Sequence, residues 1–325
     1  MRAVTAPTPG GPEALRITDL PDPQPGPGDL LIEVEASAVN RADVLQRKGM
    51  YPPPPGAPDT LGLELSGTVI GMGADVEGWS YGDAVCAIVA GGGCATMAVV
   101  PAVTAMPLPP GVSLAEAAAV PEVFTTAYDA LVIQAGLAAG ESVLLHGGSS
   151  GIGTAGIQLA TRLGAEVVVT VGSQEKAQAC RDLGAALAID YRQQPDFAAV
   201  LREQRGGVDV VLDIIGGSYL AQNLAVLNPD GRMVVIGLMG GATAELNLGL
   251  VLSKRLTVRG STLRARPVPA KAVLAQRMVE EVWPGFGDGT LAPVIHRTFP
   301  LEDIAEAHAL MESSAHIGKI LLTMR

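Results

Sequence analysis

Two textures of apolar and polar positions divide the chain. Up to about residue 110, short alternating runs are separated by Pro/Gly turns. In "DLLIEVEA" (29–36), Leu30, Ile32, Val34 and Ala36 share one face, while Leu31 and two glutamates take the other. That period of two predicts a half-buried strand. "LSGTVIGMG", "DAVCAIV" and "ATMAVV" read the same way, and "PDPQPGPG" is turn punctuation. This part predicts a compact antiparallel β domain. "SLAEAAAV" (113–120) starts a helix, with Ser113 and Glu116 at capping-box spacing.

From 121 to 262 the texture becomes strand, helix, strand, helix. Predicted strands are "SVLLHG" (142–147), "EVVVTVG" (166–172), "AALAID" (185–190), "VDVVLDII" (208–215), "GRMVVIG" (231–237) and "LTVRGS" (256–261). Apolar strands alternating with helices predict a parallel, doubly wound sheet covered on both faces. The last stretch returns to a strand-and-helix mixture that packs back on the first domain. The expected division is therefore 1–120 with 263–325, and 121–262, in an α/β chain. There is no internal repeat, and the one low-complexity piece is the proline run at 52–55.

Composition narrows the class. The 325 residues are enough for two domains with a large core. Forty glycines and 17 % charged residues suit a turn-rich enzyme, not a disordered chain. A net charge of −11 argues against nucleic acid as a partner. Cys86, Cys94 and Cys180 are scattered without a C-x-x-C spacing, so neither a disulfide framework nor a zinc ribbon is expected. "MRAVTAPTPGG" lacks a basic-then-apolar signal, and no apolar run is long enough to span a bilayer. The expectation is a soluble cytoplasmic protein with no membrane partner.

The chemistry starts at "HGGSSGIGTAG" (146–156), which follows the first strand of the alternating region and opens its first helix. That context makes a glycine pattern meaningful. The frame Gly151, Gly153, Gly156 would put its last glycine a turn inside the helix. The better frame is Gly148-Ser149-Ser150-Gly151-Ile152-Gly153. Gly148 allows the tight turn, Gly151 and Ile152 offer N–H groups to a pyrophosphate, and Gly153 lets helix approach strand.

An acid at the end of the second strand would grip the ribose 2′-hydroxyl of NAD. Here Gly172 and Ser173 stand at that place, with Lys176 a helical turn later. Ser173 and Lys176 can donate to a 2′-phosphate, so NADPH is the expected cofactor. Glu175 is expected to point outward, and Tyr191, after the third strand, to lie beside the adenosine. The ordinary alternative for Lys176 is a solvated helix lysine.

These stretches, with "NRADVLQRKGMYPPPPGAPDTLGLELSG", "LDIIGGSY", "GRMVVIGLMGG", "LTVRGSTLRAR" and "AHALMESSAHIGKILL", run nearly end to end. In that order and spacing the chain resembles the zinc-free quinone oxidoreductases of the medium-chain dehydrogenase/reductase superfamily, most of all their p53-inducible branch. The resemblance implies a GroES-like catalytic domain from both chain ends, a six-stranded Rossmann domain between them, and NADPH in the cleft. It places further cofactor contacts at Thr126, Ile215, Gly216, Gly237, Leu238, Met239, Leu263, Arg264, Ala265, Gly318 and Lys319. The superfamily's zinc enzymes carry a cysteine where this chain has Arg41, just after Asn40, and a histidine within a Gly-His-Glu triplet. Here the triplet reads Gly62-Leu63-Glu64, and leucine cannot ligate zinc. No metal site is expected, and Glu64 reads as a structural hydrogen-bond partner.

Without zinc, chemistry rests on hydride transfer plus donors near the acceptor oxygen. Asn40 and Tyr51 are the candidates. Asn40 can hold the nicotinamide ribose or the acceptor oxygen, or simply cap a helix. Tyr51 can donate to a developing oxyanion, or pack on the neighbouring prolines. Asp43 and His146 read as structural. Three functions remain open: an NADPH-dependent quinone reductase, an NADPH-dependent enone or enal reductase, and an NADPH-binding protein with little turnover. Finally, "RLTVRGSTL" (255–263) holds the sixth strand, an edge. An unshielded edge invites antiparallel pairing with its own copy, which the resemblance also suggests. A homodimer through 255–263 is expected, unless the C-terminal segment covers that edge.

Overall fold

The computed structural model describes residues 1–324. The chain forms two compact units, Met1–Thr125 with Leu263–Arg325, and Thr126–Thr262. The first unit is built on a seven-stranded sheet in the order Ile295–Pro300, Lys319–Thr323, Asp29–Val39, Glu64–Met72, Ala84–Ile88, Ala105–Pro107, with Met97–Pro101 pairing onto Asp29–Val39. All its pairs are antiparallel except Ile295–Pro300 with Lys319–Thr323. Leu30, Ile32 and Val34 are buried and Glu33 between them is exposed, which is the period-two face realised. They join Leu65, Val85, Ile320 and Leu322 in one core that mixes both ends of the chain.

The segment 113–120 departs from expectation. The Ser113–Glu116 capping contacts form, at 3.3 Å in each direction between backbone and side chain. Yet only a 3₁₀ turn, Glu116–Ala119, follows. Pro121 has no N–H to continue that turn, and its fixed φ suits the first turn of a new helix. The α-helix accordingly begins there, as Pro121–Tyr128.

The second unit carries the parallel sheet. Its strands are Ser142–His146, Glu166–Val171, Leu187–Asp190, Val208–Asp213, Leu227–Val235 and Thr257–Gly260. In space they run third, second, first, fourth, fifth, sixth, every pair parallel. Val143, Leu144 and Leu145 are fully buried, because helices cover both faces at the centre. The strand order reverses between Ser142–His146 and Val208–Asp213, where doubly wound sheets leave a crevice at their carboxyl ends. At the opposite extreme, every residue of Thr257–Gly260 is exposed. No helix among the described residues is long and apolar enough to cross a membrane.

Candidate active site

The crevice is bounded by the turn after Ser142–His146. The positive φ of that turn falls on Gly147 (67°), not on Gly148, so the conformational freedom sits one residue earlier than the spacing suggests. Gly148 is needed for room: a Cβ there would lie 2.6 Å from the Val169 side chain. Gly153 is the tightest point, where a Cβ would meet the carbonyl oxygens of Gly147 and Gly148 at 2.4 Å each. Ser150 caps the helix Gly151–Arg162 and its hydroxyl accepts from the Gly153 N–H at 3.1 Å. The N–H groups of Gly151 and Ile152 stand in the first turn, the positive end of the helix dipole. Gly156 packs on Leu145 inside the helix, so the alternative frame carries no turn.

On the far side, Asp213 organises the turn after its own strand. Its carboxylate accepts from the N–H groups of Ile215 (2.7 Å) and Gly216 (3.1 Å). Gly216 has φ 80°, and a Cβ there would strike the Gly241 carbonyl at 2.7 Å. Leu238 and Met239, after the fifth strand, are both 54 % exposed. His146 is buried, with Nδ1 at 2.9 Å from Thr170 Oγ1 and Nε2 at 2.7 Å from Asn223 Oδ1, and burial lowers its pKa. It is a core histidine.

A polar corner surrounds Gly172. Ser173 caps the helix Gln174–Asp182 and accepts from the Lys176 N–H at 3.3 Å. A Cβ on Gly172 would come within 2.7 Å of the Tyr191 hydroxyl and 3.4 Å of Arg192 Nε. The Lys176 pKa is lowered, first by burial and next by the Arg192 charge. Two cations are thus drawn together at a helix N-terminus, while Glu175 is exposed. Sequence reasoning missed Arg192. The signal was there, one residue beyond Tyr191, but nothing local said which way a residue leaving a strand would turn.

The first unit holds a buried polar cluster. Asn40 begins the helix Arg41–Arg47, and its N–H donates to Asp43 Oδ2 at 2.8 Å. Its side chain turns inward: Nδ2 donates to Glu64 Oε1 (2.8 Å) and Oδ1 accepts from Lys319 Nζ (2.7 Å). Lys319 Nζ also reaches Glu64 Oε1 at 2.6 Å, and both residues are buried. Glu64 Oε2 accepts from the Glu122 N–H at 2.8 Å. Asp43, held by the N–H groups of Asn40 and Gly62, is nevertheless pushed up by burial to about 6. An ammonium therefore occupies the acid of the Gly62-Leu63-Glu64 triplet. Among the described residues no group of three or more His, Cys, Asp or Glu side chains is disposed to hold a metal ion.

Tyr51 stands nearby in chain terms but is held by other partners. The Arg264 guanidinium lies over its ring at 5.2 Å and donates to its carbonyl at 3.2 Å. Arg264 also donates to Ala90 O (2.8 Å) and Gln46 Oε1 (2.6 Å), which spends its side chain on bracing this loop. Burial raises the Tyr51 pKa, and the Arg264 charge opposes this, so the hydroxyl stays a donor at neutral pH. A small, largely apolar pocket in the same unit is lined by Ile88, Met106, Leu263, Leu274, Lys271 and Thr125. The Thr125 hydroxyl is buried there without a hydrogen-bond partner. Thr126 begins the second unit, Ala265 is exposed, and Gly318 is buried with φ 81° against Val294.

Comparison with known proteins agrees with this geometry. Residues 26–126 match the family described as alcohol dehydrogenase GroES-like domain, and residues 151–280 the family described as zinc-binding dehydrogenase. A quinone oxidoreductase of Lama guanicoe is 31 % identical, covering all of this chain and 98 % of that protein. The structure of Escherichia coli quinone oxidoreductase complexed with NADPH is 30 % identical with a TM-score of 0.91, covering 99 % of this chain and 100 % of that one. The apo structure of JamJ enoyl reductase is 29 % identical with a TM-score of 0.89, covering 100 % and 99 %.

Proposed function

Since the chain belongs to the quinone oxidoreductase family of the medium-chain dehydrogenase/reductases, we propose that it is an NADPH-dependent reductase of quinones working without zinc. The observation that carries the cofactor reading is the corner around Gly172, where burial and then the Arg192 charge lower the Lys176 pKa more than Glu175 raises it. A 2′-phosphate relieves that repulsion, and a bare 2′-hydroxyl does not. The cradle fits the rest of the cofactor: Gly147, Gly148 and Gly153 let the turn pack closely on Ile214, Val169 and its own carbonyls, so the first-turn N–H groups of Gly151 and Ile152 stand at the start of the helix, where a pyrophosphate binds.

The bound cofactor supplies hydride from its nicotinamide ring. The chain's own residues bind, orient and donate. Gly151, Ile152 and Ser149 face the pyrophosphate. Ser173, Lys176 and Arg192 take the 2′-phosphate, and Tyr191 flanks the adenosine. Thr126, Ile215, Gly216, Gly237, Leu238, Met239, Leu263, Ala265 and Gly318 complete the reading of cofactor contacts, whereas the side chains of Arg264 and Lys319, also expected there, are committed to Ala90, Tyr51 and Gln46 and to Asn40 and Glu64. Tyr51 donates to the acceptor oxygen as negative charge develops there. Asn40, whose amide is spent on Glu64 and Lys319, holds that segment in place. Leu63 cannot ligate, and the Lys319 ammonium already satisfies Glu64, which leaves a zinc ion no seat. Three buried free cysteines and the acidic surface suit the cytoplasm.

The similarity to an enoyl reductase favours one second reading, reduction of activated double bonds in enones or enals. A panel of ortho-quinones, para-quinones and enals, assayed with NADPH and with a chelator present, separates them. Turnover is expected on quinones and unchanged by the chelator. Turnover confined to enals selects the second reading, and binding without turnover selects a cofactor-holding protein.

A further inference from the structure

The proline run at 52–55 is a sequence feature that the reading above leaves without a role. From Met50 to Asp59, five of ten residues are proline. Proline has no N–H, so this loop is rich in carbonyl acceptors and poor in donors. Its own N–H groups bond locally, Met50 to the Leu45 carbonyl at 2.8 Å and Ala57 to that of Pro54 at 3.0 Å. Its ends are held by side chains instead. Gln46, on the helix Arg41–Arg47, donates from Nε2 to the Asp59 carbonyl at 2.9 Å. Arg264 Nη1 donates to the Tyr51 carbonyl at 3.2 Å, and the guanidinium lies over the Tyr51 ring at 5.2 Å. The two side chains are themselves joined, Arg264 Nη2 donating to Gln46 Oε1 at 2.6 Å. Arg264 is buried and anchored in turn: its Nε donates to the Ala90 carbonyl, and Lys271 Nζ donates to its own carbonyl, each at 2.8 Å.

We propose that Gln46 and Arg264 form a clasp that fixes the proline loop and aims Tyr51 at the acceptor, which makes both of them positioning residues for its reduction. The inference rests on the reading of Tyr51 as the donor to the acceptor oxygen. Prolines suit such a loop, because they reduce the freedom that is lost when it is fixed. The shape of the guanidinium matters more than its charge. Three N–H directions of one rigid fork serve Ala90, Tyr51 and Gln46 together. A lysine keeps the charge but gathers its protons at one point and cannot span those acceptors. Gln46 passes the hold from one end of the loop to the other, since its oxygen accepts from Arg264 and its nitrogen donates to Asp59. A donor displaced by about 1 Å costs on the order of 10²-fold in the step it assists.

The test separates placement from turnover. Protein labelled with fluorotyrosine gives one fluorine resonance for each of its five tyrosines, and Tyr51→Phe identifies the line of Tyr51. Arg264→Lys and Gln46→Leu should each move that line with no substrate present, while the remaining lines stay. Gln46 is only half-buried, so Gln46→Leu carries the test should Arg264→Lys fail to fold. Both variants should keep their NADPH affinity and lose about 10-fold to 10²-fold in kcat/KM for para-benzoquinone. Introduced into Tyr51→Phe, the same substitutions should change kcat/KM by less than about twofold, because a residue that acts through another is not additive with it. A Tyr51 line unmoved in both variants overturns the clasp whatever the substrate proves to be. So does a loss that persists in full in the Tyr51→Phe background. A line that moves as expected, in a protein whose quinone turnover survives Tyr51→Phe, refutes the reading of Tyr51 as donor instead.

Discussion

Lys176 and Arg192 show how much a cofactor choice rests on two side chains. A charge-assisted hydrogen bond contributes about 1.5–3 kcal/mol. NADPH should therefore bind at least tenfold more tightly than NADH, about 1.4 kcal/mol. Lys176→Ala or Arg192→Ala should each remove most of that preference while leaving NADH affinity nearly unchanged. Calorimetric titration of both cofactors checks it; equal affinities in wild type would refute the corner as a phosphate site. Ser173 and Lys176 were legible from their place after a strand. Arg192 was not, because its approach to Gly172 depends on how two neighbouring strands end side by side. The Asn40–Glu64–Lys319 cluster was equally hidden. Its members are 24 to 279 positions apart, and no local pattern marks a lysine that will be buried.

Elements were far more legible than contacts. The central parallel strands could be placed because strands covered on both faces leave long apolar runs, and the exposed sixth, "LTVRGS", from the regular alternation of strand and helix. The failure at 113–120 has the opposite cause: the capping pair was real, but Pro121 sets where the α-helix starts. The glycine turn shows the same limit. Its motif was recognisable, yet which glycine takes positive φ depends on the turn as built, and it is Gly147. Gly153→Ala should test the packing role of the motif. With two carbonyl oxygens at 2.4 Å from the new methyl, the helix must retreat. The expected loss is about 1–3 kcal/mol in urea unfolding, as for overpacked sites. NADPH affinity should fall by more than tenfold, since the N–H groups of the first turn move with the helix. Unchanged affinity would show that those groups do not carry the pyrophosphate.

At the scale of the whole molecule, the sixth strand offers an edge at which assembly can be tested. Thr257–Gly260 is exposed along its length, and Val258 is 43 % exposed. Arg255 and Arg259 supply its only charges, and no proline breaks it. Two copies pairing antiparallel there would extend each six-stranded sheet into the other and close at two subunits. A homodimer is therefore expected at micromolar concentration, and Val258→Pro, which deletes a ladder donor, should sediment as a monomer. A monomeric wild type would reject this interface.

The order in which the chain leaves the ribosome acquires meaning from Lys319–Thr323. Every strand of the nucleotide sheet is made between residues 142 and 260, so that sheet can close while synthesis continues. The other sheet cannot. Its strand Asp29–Val39 waits for a neighbour synthesised after the whole nucleotide sheet, and Glu64 is emitted 255 residues ahead of the ammonium that neutralises it. Closing so long a loop is slow, and a buried acid without its counter-charge cannot stay buried. The segment translated first therefore cannot complete its sheet until Lys319–Thr323 has been made, and a nascent chain stalled just before that strand holds every strand of the nucleotide sheet but not every strand of the other.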